Sequence, residues 1–322
     1  MVPPLPRKPN RLPPPLPRKA WRHLPAQDLR KFKNLLFAAR TVVDGVYTGR
    51  HRSPYRDRAP EFVEYRHYHP GDALELVDWK AYARTDRHYI RMAEKETDMQ
   101  GHVLLDCSAS MAFAPPPAHG SKAARVSKMD YAATLAASLA YLLIKQGDQV
   151  SLTLFDQKLR QHIPTGGTFA HLYRLLNAME RQKPAGATDL AETLRRCNAL
   201  FRRRGLVMVI SDFYGDPDEL FRALSAYRHR RFEVILFHLL HEQEINLPEG
   251  SHLRLEDAET GEVLSCDPAD VRAAYAGRLA AFREGLRARA GARGIRYQFC
   301  HTGQPHQEVL YRYLSRHHAG PP

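Results

Sequence analysis

Residues 103–110 read Val-Leu-Leu-Asp-Cys-Ser-Ala-Ser, an apolar run followed at once by a carboxylate and two spaced hydroxyls. A second apolar run, at 206–210, is likewise followed by Ser211 and Asp212. A continuous apolar run is typical of a central parallel strand, because such a strand is buried on both faces. The two stretches therefore predict two strands of a parallel sheet, each with polar residues directly after its end.

Strand and helix patterns alternate from Gly101 onward. Strands are predicted at 103–105, 150–155, 206–210, 232–240 and 295–299, and a hairpin over 253–264. Helices are predicted at 128–145, 169–180, 190–203, 218–227, 269–289 and 307–315. This alternation predicts an α/β fold, a Rossmann-like doubly wound and mostly parallel sheet with helices on both faces. The helix at 128–145 is apolar nearly all round and is expected to be the central one.

Two regions of different character precede this unit. The first twenty-five residues contain nine prolines and the hexapeptide PPLPRK twice. Proline at this density cannot continue a helix or a sheet, which predicts a disordered basic tail over 1–25. The block 26–100 is expected to hold a helix over 27–43 and strands near 62–68 and 88–92. The third region, 101–322, is then the main domain.

The composition is that of a globular protein, with 43% hydrophobic and 26% charged residues in 322. The longest uncharged apolar stretch, 131–144, is shorter than the ~20 residues that a membrane-spanning helix needs, so any membrane contact is expected to be peripheral. Four cysteines lie far apart without a CxxC pair. This pattern argues against a disulfide scaffold or a thiolate zinc site and favours a reducing cytoplasm.

The net charge is +13, and residues 1–33 supply +8 of it through nine basic side chains and one acidic one. Such an excess fits an anionic partner, which is nucleic acid, a membrane surface or an acidic protein. A genome rich in arginine codons gives the same excess without any such partner. The folded remainder is only modestly basic, so nucleic-acid binding is not the favoured interpretation.

Five oxygen-bearing side chains follow strands or begin a helix. In a doubly wound sheet, ligands bind beyond the carboxyl ends of the strands, near the point where strand order reverses. Carboxylate and hydroxyl oxygens suit Mg²⁺ or Mn²⁺ and not zinc. The sequence therefore predicts a metal site formed by Asp106, Ser108, Ser110, Thr188 and Asp212. In the alternative interpretation, Ser108 and Ser110 only cap the next helical segment.

The order Asp-x-Ser-x-Ser, then a Thr, then an Asp, resembles the metal-ion-dependent adhesion site of von Willebrand factor type A domains. The resemblance implies that the hydroxyls contact a divalent ion and that the Asp residues often act through water. It also implies an open position at the ion, which accepts a carboxylate from a partner protein.

The N-terminal block carries a second resemblance. Its motifs are EF at 61–62, RHYHPGD at 66–72, VDW at 77–79 and AR at 83–84, with SDF at 211–213 and DAETGE at 257–262 further along. Together they are similar to the signature of the domain of unknown function 58 family, over roughly residues 40–316. Ala73 and Glu75 depart from it, since the family often has Asp and Arg there. The resemblance implies a MoxR-type AAA+ ATPase as partner, in a chaperone-like system.

Three functional hypotheses follow. The first is a non-enzymatic binding module that presents Mg²⁺ to a partner carboxylate, with no catalytic residue assigned. The second is a hydrolase that uses the same ion to activate water, with Asp189 or Glu96 as general base. The third is a polyanion or nucleic-acid binder acting through the tail and the arginines at 202–204 and 228–231, whose affinity would fall steeply with salt. A nucleotide-binding P-loop or GxGxxG motif does not occur in the sequence.

Overall fold

The computed structural model describes residues 39, 42–43, 64–67, 89–92, 99–114, 126–247 and 253–318. The predicted tail 1–25 and most of the block 26–100, Glu96 included, lie outside the described residues. Within the block, Ala39, Val42 and Val43 are helical and buried.

The elements follow one another along the chain as strands, helices and one small hairpin. The strands are β1 (Glu64–His67), β2 (Tyr89–Met92), β3 (Gln100–Asp106), β4 (Gln149–Phe155), β5 (Leu159–Gly166), β6 (Leu206–Ser211), β7 (Glu233–Leu240), β8 (Leu253–Glu256), β9 (Val263–Cys266) and β10 (Arg296–His301). The helices are α1 (Lys128–Lys145), α2 (Phe169–Glu180), α3 (Leu190–Leu200), α4 (Pro217–His229), α5 (Glu242–Ile245), α6 (Pro268–Gly291) and α7 (His306–His318). A 3₁₀ turn covers Ala109–Ala112.

The central sheet has six strands in the order β10-β7-β6-β3-β4-β5. Five of them are parallel, and β5 runs antiparallel to β4 at one edge. The α/β fold with a mostly parallel sheet is thereby confirmed. Two small antiparallel pairs, β1 with β2 and β8 with β9, complete the described strands and fall where strands and a hairpin were predicted.

Helices cover both faces of this sheet. One hydrophobic core lies between the sheet and α1, α2 and α7, and a second core lies between the sheet and α3, α4 and α6. Helix α1 is buried along nearly its whole length, with Leu135, Leu139 and Leu142 at 1% exposure or less. Its start is fixed by a capping box in which the Ser127 and Asp130 side chains each accept from the other's backbone amide.

Two local predictions differ from the structure. Strand β5 was not predicted, because its sequence is polar and only Ile163 is buried. An edge strand tolerates this composition and Pro164 as well, since one side of it needs no partner strand. The helix predicted at 190–203 ends at Leu200, because Phe201 turns to an extended conformation and enters the core with 2% exposure.

Strand order places two loops side by side. The chain runs from β3 outward to β4 and β5, then crosses back to β6 on the other side of β3. The order therefore reverses between β3 and β6, which end at Asp106 and Ser211. A crevice is expected at such a switch point, beyond the carboxyl ends of the strands. Among the described residues, none of the helices has the length and apolar character needed to span a bilayer.

Candidate functional site

Hydrogen bonds to Asp106 link the ends of strands β3 and β6. Its side chain is fully buried, and its Oδ1 accepts a hydrogen bond of 2.9 Å from the Ser108 amide. Its Oδ2 accepts a bond of 2.6 Å from the Ser211 hydroxyl, whose oxygen in turn accepts from the Phe213 amide at 3.0 Å. Phe213 has a positive φ of 55°, a strained conformation that turns the chain sharply just beyond Asp212.

Two serines connect the first loop to Asp212. The hydroxyl oxygens of Ser108 and Ser110 are 3.1 Å apart, and Ser110 donates to Asp212 Oδ2 at 2.7 Å. Ser108 precedes the 3₁₀ turn but its side chain makes no capping hydrogen bond, which argues against a purely capping role. Four of the five predicted residues are thus linked in one hydrogen-bonded cluster: Asp106, Ser108, Ser110 and Asp212.

Thr188 lies in a neighbouring loop and has another partner. The Ala185 amide donates to the Cys107 carbonyl at 3.1 Å, and the Ala109 amide donates to the Gly186 carbonyl at 2.8 Å. These bonds hold the two loops together. The Thr188 hydroxyl itself donates to Glu259 Oε1 at 3.2 Å, and its amide donates to Oε2 at 3.3 Å. Sequence reasoning noted the stretch around Glu259 only as part of a family resemblance.

Lys128 is the residue that sequence reasoning missed. Its side chain is fully buried, and its Nζ donates at 2.8 Å to Asp212 Oδ2 and at 2.8 Å to Glu244 Oε1. The sequence offered one signal. A lysine in the first turn of a helix opposes the helix dipole, which favours anions there, so a specific partner was to be expected.

The carboxylates around Lys128 outnumber its single ammonium group. Three carboxylates, those of Asp106, Asp212 and Glu244, stand against one ammonium, which leaves an excess of negative charge when all are ionised. Burial and the charge of Asp212 together raise the pKa of Asp106 to about 7. Burial lowers the pKa of Lys128, but its two carboxylate partners outweigh this effect and raise it. Burial raises the pKa of Glu244 in spite of the nearby ammonium.

The donor set fits a hard divalent cation. Two carboxylates and two hydroxyls provide oxygen atoms alone, which are the ligands that Mg²⁺ and Mn²⁺ prefer. When all three carboxyls are ionised, the excess of negative charge is of the sign that such an ion would compensate. Across the described residues, those of the cluster included, His, Cys, Asp and Glu side chains form no group of three or more able to hold a metal ion, so hydroxyl oxygens would have to complete the coordination.

Residues 64–285 match the family described as "Protein of unknown function DUF58". The chain belongs to the DUF58 family. Relatives of this DUF58 member include the uncharacterized protein Rv1480 of Mycobacterium tuberculosis and the uncharacterized protein Mb1516 of Mycobacterium bovis. Each is 30% identical over 242 residues, which span 74% of this chain and 73% of the relative.

Two solved structures are similar to this chain at lower sequence identity. The conserved hypothetical protein BatB from Bacteroides thetaiotaomicron has 15% identity and a TM-score of 0.44, over 68% of this chain and 98% of that one. An aerotolerance-related membrane protein from Bacteroides fragilis has 14% identity and a TM-score of 0.44, over 68% and 99% of the two chains.

The general-base candidates of the hydrolase hypothesis are Asp189 and Glu96. In this DUF58 member, Asp189 caps helix α3, and its Oδ1 accepts from the Glu192 amide at 2.9 Å. The other candidate, Glu96, lies outside the described residues. Cys107 is a free, buried thiol whose pKa is raised by burial to about 12, so it is not poised as a nucleophile.

A groove of about 280 Å³ opens beside Thr188, between the start of α3 and the segment that follows Asp212. Its walls include Arg195, Tyr214 and Glu219.

One arginine of the predicted basic surface, Arg230, stabilises the end of a helix. The guanidinium of Arg230 contacts the backbone carbonyls of Asn198 and Phe201 at the end of α3. Helix ends commonly use basic side chains in this way to satisfy their last carbonyl groups. The arginines at 202–204 and the residues 228–231 are all exposed.

Proposed function

We propose that this DUF58 member is a non-enzymatic protein-binding module, which presents Mg²⁺ or Mn²⁺ to a carboxylate of a partner protein. The observation that carries the proposal is the hydrogen-bonded cluster of Asp106, Ser108, Ser110 and Asp212 at the switch point of the sheet. We further propose that residues 101–322 form a von Willebrand factor type A-like domain, and that this cluster is its metal-ion-dependent adhesion site.

The proposed roles follow from the chemistry of each side chain. Ser108, Ser110 and Thr188 would offer neutral hydroxyl oxygens to the ion, while Asp106 and Asp212 would balance its charge. The bound ion supplies a positive centre that attracts an anionic oxygen. Hydrogen bonds from Ser211 and from the Ser108 amide hold the Asp106 carboxylate in place, so it needs no rearrangement. Lys128 holds Asp212 from the protein side.

The family resemblance supports a MoxR-type AAA+ ATPase as the partner. Since the sequence has no P-loop motif, any ATP hydrolysis in such a complex would come from the partner. The four cysteines are free thiols, which supports the cytoplasm as the proposed location.

Calorimetric titration of the full chain with Mg²⁺ and Mn²⁺ tests the metal site. We expect Ser110→Ala to weaken binding by about 10-fold or more, because it removes a proposed ligand. The matched control is Ser138→Ala, which changes a buried serine whose hydroxyl donates to the Thr134 carbonyl within α1. Its affinity is expected to match the wild type. An unmodified chain that binds neither ion would refute the site.

Capture of the MoxR-type ATPase from the same organism tests the partner. We expect capture in Mg²⁺, its loss in EDTA, and its loss in Asp106→Asn with the fold retained, as monitored by circular dichroism. Equal capture with and without EDTA would count against the proposal. Turnover of phosphoesters or peptides that requires Mg²⁺ and disappears in Asp106→Asn would favour the hydrolase instead.

A further inference from the structure

Four arginines precede strands β6 and β7, at the edge of the sheet where both strands begin. Arg204 and Arg231 each lie two residues before the paired positions Leu206 and Glu233, and neighbouring strands of a sheet are about 4.8 Å apart. The Glu233 amide donates to the Gly205 carbonyl at 3.0 Å, which ties the two segments together. The strand-start surface is formed by Arg202, Arg203, Arg204 and Arg231.

The positive charges of the strand-start surface are not paired within the described part of the chain. All four side chains are exposed, and none of them has a hydrogen bond or an ion pair with another described residue. The carboxylate closest to Arg231 in the sequence, that of Glu233, pairs with Arg296 at 3.0 Å instead. Arg228 and Arg230 are used within the fold, where each donates to a backbone carbonyl. Like charges on adjacent segments repel each other, and an anionic ligand would remove that repulsion.

Arg231 adopts a backbone conformation that suits glycine. Its φ is +60°, its amide donates to the Arg228 carbonyl at 2.9 Å, and the Phe232 amide donates to the Tyr227 carbonyl at 3.0 Å. This pair of bonds ends helix α4. The same pattern of bonds ends α6, where the left-handed residue is Gly294 with φ of +62°. A left-handed arginine is strained where glycine would not be, and such strain is typical of functional positions.

The surroundings of this surface favour carboxylates over nucleic acid. Phe201 and Phe232 flank it but are buried at 2% and 1% exposure, so neither ring can stack on a base. The net charge is +13, of which residues 1–33 supply +8, so residues 34–322 carry only +5. Nucleic-acid interfaces are much more basic than this. The planar guanidinium fork of arginine matches the two oxygens of a carboxylate.

We propose that the strand-start surface binds a short acidic segment of a partner protein, whose carboxylates accept hydrogen bonds from the guanidinium groups. It is a second interaction surface, distinct from the proposed metal site. Strand β6 begins at the one and ends at the other, and its six residues span about 17 Å. Binding at the strand-start surface therefore does not require Mg²⁺.

Fluorescence anisotropy of a labelled glutamate decapeptide, titrated with the full chain in EDTA, tests the proposal. We expect Arg203→Ala/Arg204→Ala to weaken binding by about 10-fold, because two unpaired cations are removed. The matched control is Arg222→Ala/Arg254→Ala, which removes two arginines that are 69% and 70% exposed and already in ion pairs. The control is expected to change affinity by less than about 2-fold. Equal affinities of the first variant and the unmodified chain would overturn the proposal.

Arg231→Gly separates binding from folding. We expect the melting temperature to rise by about 2–4 °C, because the strain at the end of α4 is relieved. Binding of the decapeptide is expected to weaken by about 3-fold, because one cation is removed. A residue with only a structural role would leave binding unchanged, and that result would exclude Arg231 from the surface.

Hydrogen exchange locates the bound decapeptide on the full chain. We expect slower exchange at residues 201–205 and 228–232. Protection confined to residues 1–33, whose nine basic side chains also attract anions, would overturn the proposal. A 12-base-pair DNA duplex that binds more tightly than the decapeptide, and that loses affinity in Arg203→Ala/Arg204→Ala, would assign the surface to nucleic acid instead.

Discussion

The buried Lys128 forms two ion pairs, one of them with a carboxylate of the candidate site. A buried ion is stable only when it is paired, and here the ammonium lies 2.8 Å from a carboxylate oxygen of Asp212 and 2.8 Å from one of Glu244. The two partners respond differently to this environment. The pKa of Lys128 is raised, which favours its charged form, and the pKa of Glu244 is also raised, which disfavours its charged form. Asp212 is thereby held in place before any ligand arrives.

Replacement of this lysine is expected to destabilise the fold strongly. Lys128→Met leaves the buried Asp212 and the half-buried Glu244 without their cation, so we expect the free energy of unfolding to fall by about 3–5 kcal/mol. Urea denaturation measures the change. The matched control, Lys145→Met, alters the exposed end of the same helix and is expected to change stability by less than about 1 kcal/mol. Similar losses in both variants would contradict the importance of the buried pairs.

At the scale of elements, the loop before α3 depends on one glycine. Gly186 has φ of +71°, and its carbonyl accepts the Ala109 amide that ties this loop to the first one. A Cβ at this position would meet only ordinary contact, with Asp156 Oδ2 at 3.6 Å. The need for glycine is therefore conformational, because a left-handed backbone is unfavourable for other residues.

Two glycine substitutions are expected to have opposite effects. Gly186→Ala should destabilise the fold by about 1–2 kcal/mol, through backbone strain. Gly277→Ala, in α6 with open space around it, should instead stabilise the fold by about 0.5–1 kcal/mol, because alanine has the higher helix propensity. Thermal unfolding of the two variants gives the signs directly. A loss of stability in both would mean that the conformation of Gly186 is not the cause.

At the scale of the whole molecule, buried titrating groups shape the response to acid. Burial lowers the pKa of His102 to about 4 and that of His238 to about 3. Below the ordinary histidine pKa of about 6.5, the unfolded chain binds protons that the folded chain does not, so these residues reduce stability as the pH falls. Asp106, with its raised pKa, acts in the opposite direction between about pH 7 and pH 4.

Substitution of His102 isolates its own contribution to the dependence of stability on pH. His102 lies 2.7 Å from the Ser151 hydroxyl and stacks on Phe201 at 3.9 Å. Relative to His102→Asn, the wild type is expected to lose about 3 kcal/mol more stability between pH 7 and pH 4. Urea denaturation across that range gives the slope of the free energy of unfolding against pH for each protein. Substitution of the exposed His229 by Asn serves as control, and a slope in His102→Asn equal to that of the wild type would contradict the prediction.

The alternation of strands and helices was readable because it depends on local patterns. Continuous apolar runs mark strands buried on both faces, and the bounds of α1 and α2 were predicted to the residue. The nearness of Asp106 and Asp212 was predictable as well, since parallel strands end at the same edge of a sheet. The polar edge strand β5 carried no such pattern and was missed.

The sequence by itself determined the α/β architecture and which strand ends carry oxygen-bearing side chains, because periodicity and strand direction are properties of short segments. Only the tertiary structure decided that Lys128 pairs with Asp212 and Glu244, and that Glu259 bonds to Thr188. These partners lie 84, 116 and 71 positions apart. Their meeting depends on how a helix and a hairpin pack against the sheet, and packing is a sum over many distant contacts that no local pattern encodes.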